Sequence, residues 1–258
     1  MRGGSWRLGG IFVACGLLAA CSGGQRGSTE LTSGTRLRIA QAAEASGNAD
    51  LAAEMYGRAG IGAEGDPATQ IKIADGLIRS GQMPAADEQL QQALKAKPGQ
   101  VDLLRALGLL HVMSGRPEQA IVELDQVLAT KQQDLRALVA KGVALDLIHN
   151  HTDAQAVYRQ ALVLSPDDSD IRNNMAVSMM LEGRLAEAAA MLAPLENTGA
   201  RADRMKNNLG IIQAASGNAN EARRLLGDSV SPETLMALTR ALAKAPASAP
   251  AAATVSAR

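Results

Sequence analysis

The stretch Val101-Asp-Leu-Leu-Arg-Ala-Leu-Gly108-Leu-Leu-His-Val-Met-Ser-Gly115-Arg-Pro117-Glu-Gln-Ala120-Ile-Val-Glu-Leu124 has apolar residues at helical spacing on both sides of a glycine. Leu104, Leu107 and Leu110 share one face of a first helix, as residues three apart do. Gly115 then marks a turn, and Pro117 falls in the first turn of a second helix, where its missing N–H costs nothing. The pattern repeats in both directions. Ala120 belongs to a row of Ala52, Ala86, Ala120, Ala154, Ala188 and Ala222, each 34 residues after the last. Gly115 belongs to Gly47, Gly81, Gly115, Gly183 and Gly217, with His149 as the one exception. Gly108 lies in the small row Ala40, Ala74, Gly108, Gly142, Ala176 and Gly210, and Leu124 in the large row Tyr56, Leu90, Leu124, Tyr158, Leu192 and Leu226.

Small residues at fixed positions let two helices cross closely, and large ones fill the gaps between pairs. A 34-residue period of this kind is the signature of tetratricopeptide helix pairs stacked into a solenoid. The expected fold is therefore all-α: a superhelical solenoid of about six helix pairs in units 33–66, 67–100, 101–134, 135–168, 169–202 and 203–236. Pro98 and Pro166 should close their second helices, and Pro194 should kink or stop the second helix of unit five. After a short helix ending near Gly227, Ser231-Pro-Glu233 restarts a helix. Its Leu235, Leu238 and Leu242 make 232–244 a capping helix, ending within 237–245.

The two ends read differently. Arg2 and Arg7 precede an apolar run, Leu8 to Ala20, of secretory signal length. It closes on Leu18-Ala-Ala-Cys21, which resembles a bacterial lipobox, so 1–20 is expected to be a lipoprotein signal peptide and Cys21 the lipidation site. An ordinary cleaved signal or a short membrane anchor is the alternative, but the run is short and broken by glycine. Acyl chains on one residue anchor stably, since each buried methylene adds ~0.8 kcal/mol. Ser22 after the cysteine resembles the pattern of lipoproteins sent to the outer membrane, so the expected location is that membrane, on its periplasmic face. Residues 21–32 read as a flexible tether and 246–258 as a disordered Ala/Pro tail.

Composition narrows the chemistry. Of two cysteines, Cys15 lies in the signal and Cys21 at the lipid site, leaving no thiol for a disulfide, a nucleophile or a zinc cluster. Basic and acidic residues number 26 each, and no basic stripe or aromatic stacking set appears, so nucleic acid is not expected as a ligand. Tyr56 and Tyr158 share one repeat position and read as core. His149-x-His151-x-Asp153 resembles a crude metal cluster but reads as a solvated turn, and His111 as a half-buried packing residue. Asp167-Asp168 and the pair Glu118 and Glu123 read as solvated helix-surface carboxylates. There is no phosphate loop, Gly-x-Ser-x-Gly or His-Glu-x-x-His. The expectation is no catalytic residues, no metal, no cofactor and no small-molecule substrate.

The functional surface of such a solenoid is its concave face, lined by the first helices. In units three to six that places Leu109, Val112, Val143, Asp146, Val177, Met180 and Ile211 in a groove, with Asn173 and Asn207 in matching rows. Asn pairs can clamp a peptide backbone while aliphatic and methionine side chains take apolar ones adaptably. Contact with neighbouring helices is the alternative use of the same residues.

Three further stretches carry a resemblance: Gly142-Val-Ala-Leu-Asp146 followed by Ala154-Gln-Ala-Val-Tyr-Arg-Gln-Ala-Leu162; Ile171-Arg-Asn-Asn-Met175 with Gly183-Arg-Leu-Ala-Glu-Ala188; and Met191-Leu-Ala-Pro-Leu195. With the lipobox and Ser231-Pro-Glu233, the chain resembles the TadD family of tetratricopeptide lipoproteins from tight-adherence (Flp) pilus systems. The likeness covers most of 67–244 and is strongest from 135 onward. It implies a non-enzymatic outer-membrane factor that helps the pilus secretin reach, assemble in or stay in that membrane. A secretin or another pilus-assembly component is then the expected protein partner. A general periplasmic adaptor or chaperone, for example in polysaccharide export, is the competing reading. An enzyme carrying a repeat domain is the third, and it would need a catalytic domain for which no residues remain.

Overall fold

The computed structural model describes residues 31–60, 66–196, 202–227, 230–231, 233–234, 236–237 and 240. Twelve α-helices and one 3-10 turn, with no strand, make up the regular structure of these residues. The first helices of the pairs are α1 (Ser33–Ala45), α3 (Pro67–Arg79), α5 (Val101–Met113), α7 (Leu135–Leu147), α9 (Ser169–Leu181) and α11 (Ala202–Ala215). The second helices are α2 (Ala49–Gly60), α4 (Met83–Ala96), α6 (Pro117–Thr130), α8 (His151–Leu164), α10 (Leu185–Leu192) and α12 (Ala219–Leu226). Every second helix begins 34 residues after the last, so the sequence ruler is also the structural one.

One turn explains the glycine row. After each first helix the chain enters the left-handed region, at Gly47, Gly81, Gly115, Gly183 and Gly217 with φ between 67° and 81°. The following N–H bonds back to a carbonyl five residues earlier, as from Gln82 to Leu77 at 2.8 Å and from Arg184 to Met179 at 2.9 Å. This bond closes a glycine-type helix C-cap. His149 makes the same turn at φ 61°, with Asn150 N–H donating to Leu145 at 2.9 Å. Several first helices start on an aspartate: Asp66, Asp134 and Asp168 each accept from backbone N–H groups of the next turn. The prolines act as expected. Pro84 and Pro117 lie in first turns, α4 and α8 end before Pro98 and Pro166, and α10 stops at Leu192, giving way to the 3-10 turn Ala193–Leu195 around Pro194.

The rows of small and large residues meet in the core. All six alanines of the main row are fully buried, and so are Tyr56, Leu90, Leu124 and Leu192, with Tyr158 nearly so. At Gly108 an added Cβ would come 2.9 Å from Leu124 Cγ, and at Gly210 it would come 2.6 Å from Leu226 Cγ. A Cβ at Gly142 would come 2.4 Å from Tyr158 Cε1, and one at Gly76 would come 2.3 Å from Tyr56 Cε1 of the preceding pair. Small residues are therefore set by the bulk they face, not by backbone need. Three large apolar clusters follow one another along the solenoid, from α1–α5 through α5–α7 to α7–α12, and a small fourth around Ala214 and Ala222 joins α11 to α12. The expected capping helix 232–244 lies largely outside the described residues, although Glu233, Thr234, Met236, Ala237 and Arg240 are helical. The segment 1–20 with Cys21 and the tail 246–258 lie outside them altogether.

Candidate functional site: the inner face of the first helices

First helices pack on the first helices of adjacent pairs, α1 on α3, α3 on α5, α5 on α7, α7 on α9 and α9 on α11. Second helices show no comparable packing on one another among the described residues. The first helices thus occupy the short inner radius of the stack, which is its concave side. A recess of about 300 Å³ opens there, walled by α3, α5 and α7 alone. Ile71, Ile78, Ala106, Leu109 and Met113 make its apolar surface, and charged side chains surround them.

The residues expected to line the groove divide in two. Leu109, Val112, Val143, Val177, Met180 and Ile211 are half-buried on α5, α7, α9 and α11. Of these, Leu109, Val112, Val143 and Met180 also pack against the core clusters, so each offers only part of its surface. Asn207 is exposed. Asn173 is not: it is 4% exposed, and its side-chain oxygen accepts from Asn208 Nδ2 at 2.6 Å. An amide already bonded between α9 and α11 is not available to clamp a peptide. Asp146 is corrected in the same way, because its carboxylate is turned into the helix stack.

Asp146 gathers three partners. Its Oδ1 lies 2.8 Å from His151 Nδ1 and accepts from Ser178 Oγ at 2.6 Å, and its Oδ2 accepts from Tyr158 Oη at 3.0 Å. Gln155 Nε2 extends the set to Glu182 at 2.8 Å, and Arg184 donates to Gln155 Oε1 at 2.6 Å. Burial pushes the Asp146 carboxyl above the usual aspartate value, opposed by the His151, Ser178 and Tyr158 hydrogen bonds. Burial also raises the Tyr158 phenol, and the neighbouring Asp146 charge adds to this. This network ties α7, α8 and α9 together. Its role is adhesion between pairs.

One further row lies outside the expected groove set. Met113, Leu147 and Leu181 are 56%, 48% and 37% exposed, large numbers for such side chains. They sit one repeat apart and four residues after Leu109, Val143 and Val177, so each pair forms one ridge of a first helix. The 34-residue ruler contained this signal: the position is Ala45 and Arg79 in the first two units and apolar in the next three.

The tetratricopeptide repeat family matches this chain over residues 77–142 and 149–209. This chain is a tetratricopeptide-repeat protein. It is 37% identical over 119 residues to the uncharacterized protein y4yS of Sinorhizobium fredii (strain NBRC 101917 / NGR234), covering 45% of this chain and 65% of that one. It is 26% identical over 176 residues to cellulose synthase 1 operon protein C of Komagataeibacter xylinus, covering 67% of this chain and 13% of that one. The chain thus spans less than two thirds of the length of these curated relatives. Among solved structures it is similar to PilW, described as a widely conserved type IV pilus biogenesis factor. The TM-score is 0.65 at 20% identity, over 80% of this chain and 98% of that chain. At that identity the likeness shows the fold alone.

In this tetratricopeptide-repeat protein His111 and His151 are structural. His111 is buried, with Nδ1 2.9 Å from Glu123 Oε2, and Nε2 3.4 Å from Asp87 Oδ1 without a hydrogen bond. Glu123, expected on a solvated surface, is thus drawn into an inter-helix contact. His151, expected in a solvated turn, is instead buried at the start of α8 against Asp146. Among the described residues no group of three His, Cys, Asp or Glu could hold a metal ion. The repeats present a surface for protein contact.

Proposed function

We propose that this chain is a non-enzymatic, lipid-anchored scaffold on the periplasmic face of the outer membrane. It holds a protein partner on its inner face and aids assembly or localisation of the secretin of a tight-adherence (Flp) pilus. The observation that carries the scaffold reading is the ridge pattern of the first helices. Leu109 with Met113, Val143 with Leu147 and Val177 with Leu181 keep apolar surface in solvent one repeat apart. Exposed apolar rows of this kind mark contact sites. The anchor and its membrane rest on Leu18-Ala-Ala-Cys21-Ser22, and the pilus assignment rests on the resemblance over most of residues 67–244, strongest from 135 onward.

The test has two arms. Cys21→Ser should leave an unprocessed precursor that does not fractionate with the outer membrane, and an unchanged mature mass would remove the lipid anchor. The double variant Val143→Glu and Met180→Glu should stay helical by circular dichroism yet lose secretin in pull-down and lose surface pili. Each buried, unpaired carboxylate would cost a few kcal/mol of binding. Secretin retained by the folded double variant would remove the inner face as its site.

The match to cellulose synthase 1 operon protein C favours a second reading, a periplasmic adaptor in polysaccharide export. Under it, deletion of the gene would leave pili intact and change polysaccharide secretion instead.

A further inference from the structure

Five charged side chains surround the recess between α3, α5 and α7: Asp75, Arg79, Asp102, Arg105 and Arg136. Three are already engaged within the solenoid. Arg79 bonds Glu44, Arg105 bonds Asp102 at 2.7 Å and Asp134 at 2.6 Å, and Asp102 also lies 3.7 Å from Lys131. Asp75 on α3 and Arg136 on α7 are exposed and have no hydrogen-bond or ion-pair partner among the described residues. α5, which packs on both α3 and α7, contributes the apolar Ala106, Leu109 and Met113 to the same lining. The recess therefore has an apolar middle, an unpaired anion on one flank and an unpaired cation on the other. At about 300 Å³ it is at the small end of ligand pockets, a size suited to inserted side chains.

We propose that this recess receives a peptide segment of a protein partner that carries an aliphatic or aromatic side chain between a cation facing Asp75 and an anion facing Arg136. The proposal rests on the reading of the inner face as the binding surface, and it moves the selective contact to units two and three, ahead of Val143 and Met180. Electrostatic complementarity of this kind selects among partners more than it adds affinity. The ridge from Met113 through Leu147 to Leu181 then receives the rest of the segment without choosing its sequence.

The test is a methyl NMR titration of the full-length chain, which reads weak binding directly. Four synthetic peptides serve as probes: Lys-Ala-Ala-Leu-Ala-Ala-Glu, the same with both ends Lys, the same with both ends Glu, and the zwitterionic one with Leu replaced by Ser. The zwitterionic leucine peptide should bind best and shift the methyls of Ile71, Ile78, Leu109 and Met113. Asp75→Lys should switch the preference to the peptide with two Glu, and Arg136→Glu to the one with two Lys. Each switch should be up to about fivefold at low salt, the upper range for an exposed ion pair, and should fade as salt screens it. Both positions are exposed, and circular dichroism of the variants checks that the fold is kept.

Unchanged preferences in the two variants would overturn the proposal, as would equal binding of the Ser peptide or no shift at the recess methyls. Shifts confined to Val143 and Met180 would overturn this subsite and leave the inner face as the binding surface. The surface itself is tested separately by secretin pull-down with Val143→Glu and Met180→Glu, so the two failures are distinguishable.

Discussion

Tyr158 Oη donates to Asp146 Oδ2 at 3.0 Å, and Tyr56 Oη donates to Glu44 Oε2 at 2.6 Å, across the same interval of twelve residues. In the four pairs where Leu stands in place of Tyr, the partner position is Ile78, Val112, Met180 or Ala214. Phenol and carboxylate thus occur together, and leucine and an apolar residue occur together. A buried hydroxyl needs an acceptor, and the chain supplies one only where the hydroxyl is present.

That pairing predicts coupling. Tyr158→Leu alone leaves Asp146 with one fewer donor, and Asp146→Val alone leaves the phenol without an acceptor. Each should cost about 1–3 kcal/mol in urea unfolding. The double variant imitates the pair Leu124 and Val112 and should lose less than the sum, by about 0.5–3 kcal/mol. Strict additivity would show that the contact carries no energy of its own. His151, which also meets Asp146, keeps the rescue from being complete.

Asp146 and Glu44 should respond to pH with opposite signs. Burial raises the Asp146 carboxyl, so its protonated form is favoured by folding. That contribution is fully present below the ordinary aspartate value of about 3.9 and is lost as pH rises through the raised one. Asp146→Asn should flatten the decline in stability on the neutral side of pH 4, seen as a smaller change of urea midpoint. An unaltered pH profile would mean that Asp146 does not titrate in this range.

For Glu44, the Arg79 hydrogen bond, helped by that of Tyr56, holds the carboxyl down to about 2. Its contribution is present above the ordinary glutamate value of about 4.3 and is lost as pH falls toward about 2. Glu44→Gln should remove part of the acid-side loss while leaving the neutral side alone. The pair is partly exposed, so the effect should be small and reduced by salt.

The crossing alanines should refuse bulk. Ala154→Leu or Ala188→Leu overpacks a fully buried contact and should cost roughly 1–3 kcal/mol. Ala186→Leu, on the exposed side of α10, should change thermal unfolding little. Equal indifference at both places would mean that the helices do not cross at the alanine row.

His149→Gly should stabilise. Its φ of 61° is one that L side chains adopt at a cost of about 1–2 kcal/mol, and glycine makes that turn in the other five pairs. A gain of up to about 1 kcal/mol in thermal unfolding is expected, partly offset by the freedom glycine gains when unfolded and by loss of the His149–His151 ring contact. A loss of stability would show that the ring contact outweighs the backbone strain.

The repeat spacing alone sets the solenoid: the number of described pairs, their register, the turn positions, the stop at Pro194 and the buried rows. These follow from local physics, because each pair meets only its neighbours and every pair meets them at the same positions of the 34-residue period. Side chains whose partners lie one pair away escaped it. Asp146 looked like groove lining because its position faces inward. The tertiary structure turns it to Ser178 on the next first helix and to Tyr158 behind it. Asn173 shares the inward row with Asn207 but is bonded to Asn208 across the pair boundary. Asp75 and Arg136 carried no pattern at all. What makes them candidates is that Arg79, Asp102 and Arg105 beside them are already paired, which only the packing of α3, α5 and α7 decides. A repeat fixes where a side chain starts, and its neighbours in space decide what charge or hydrogen bond is left over.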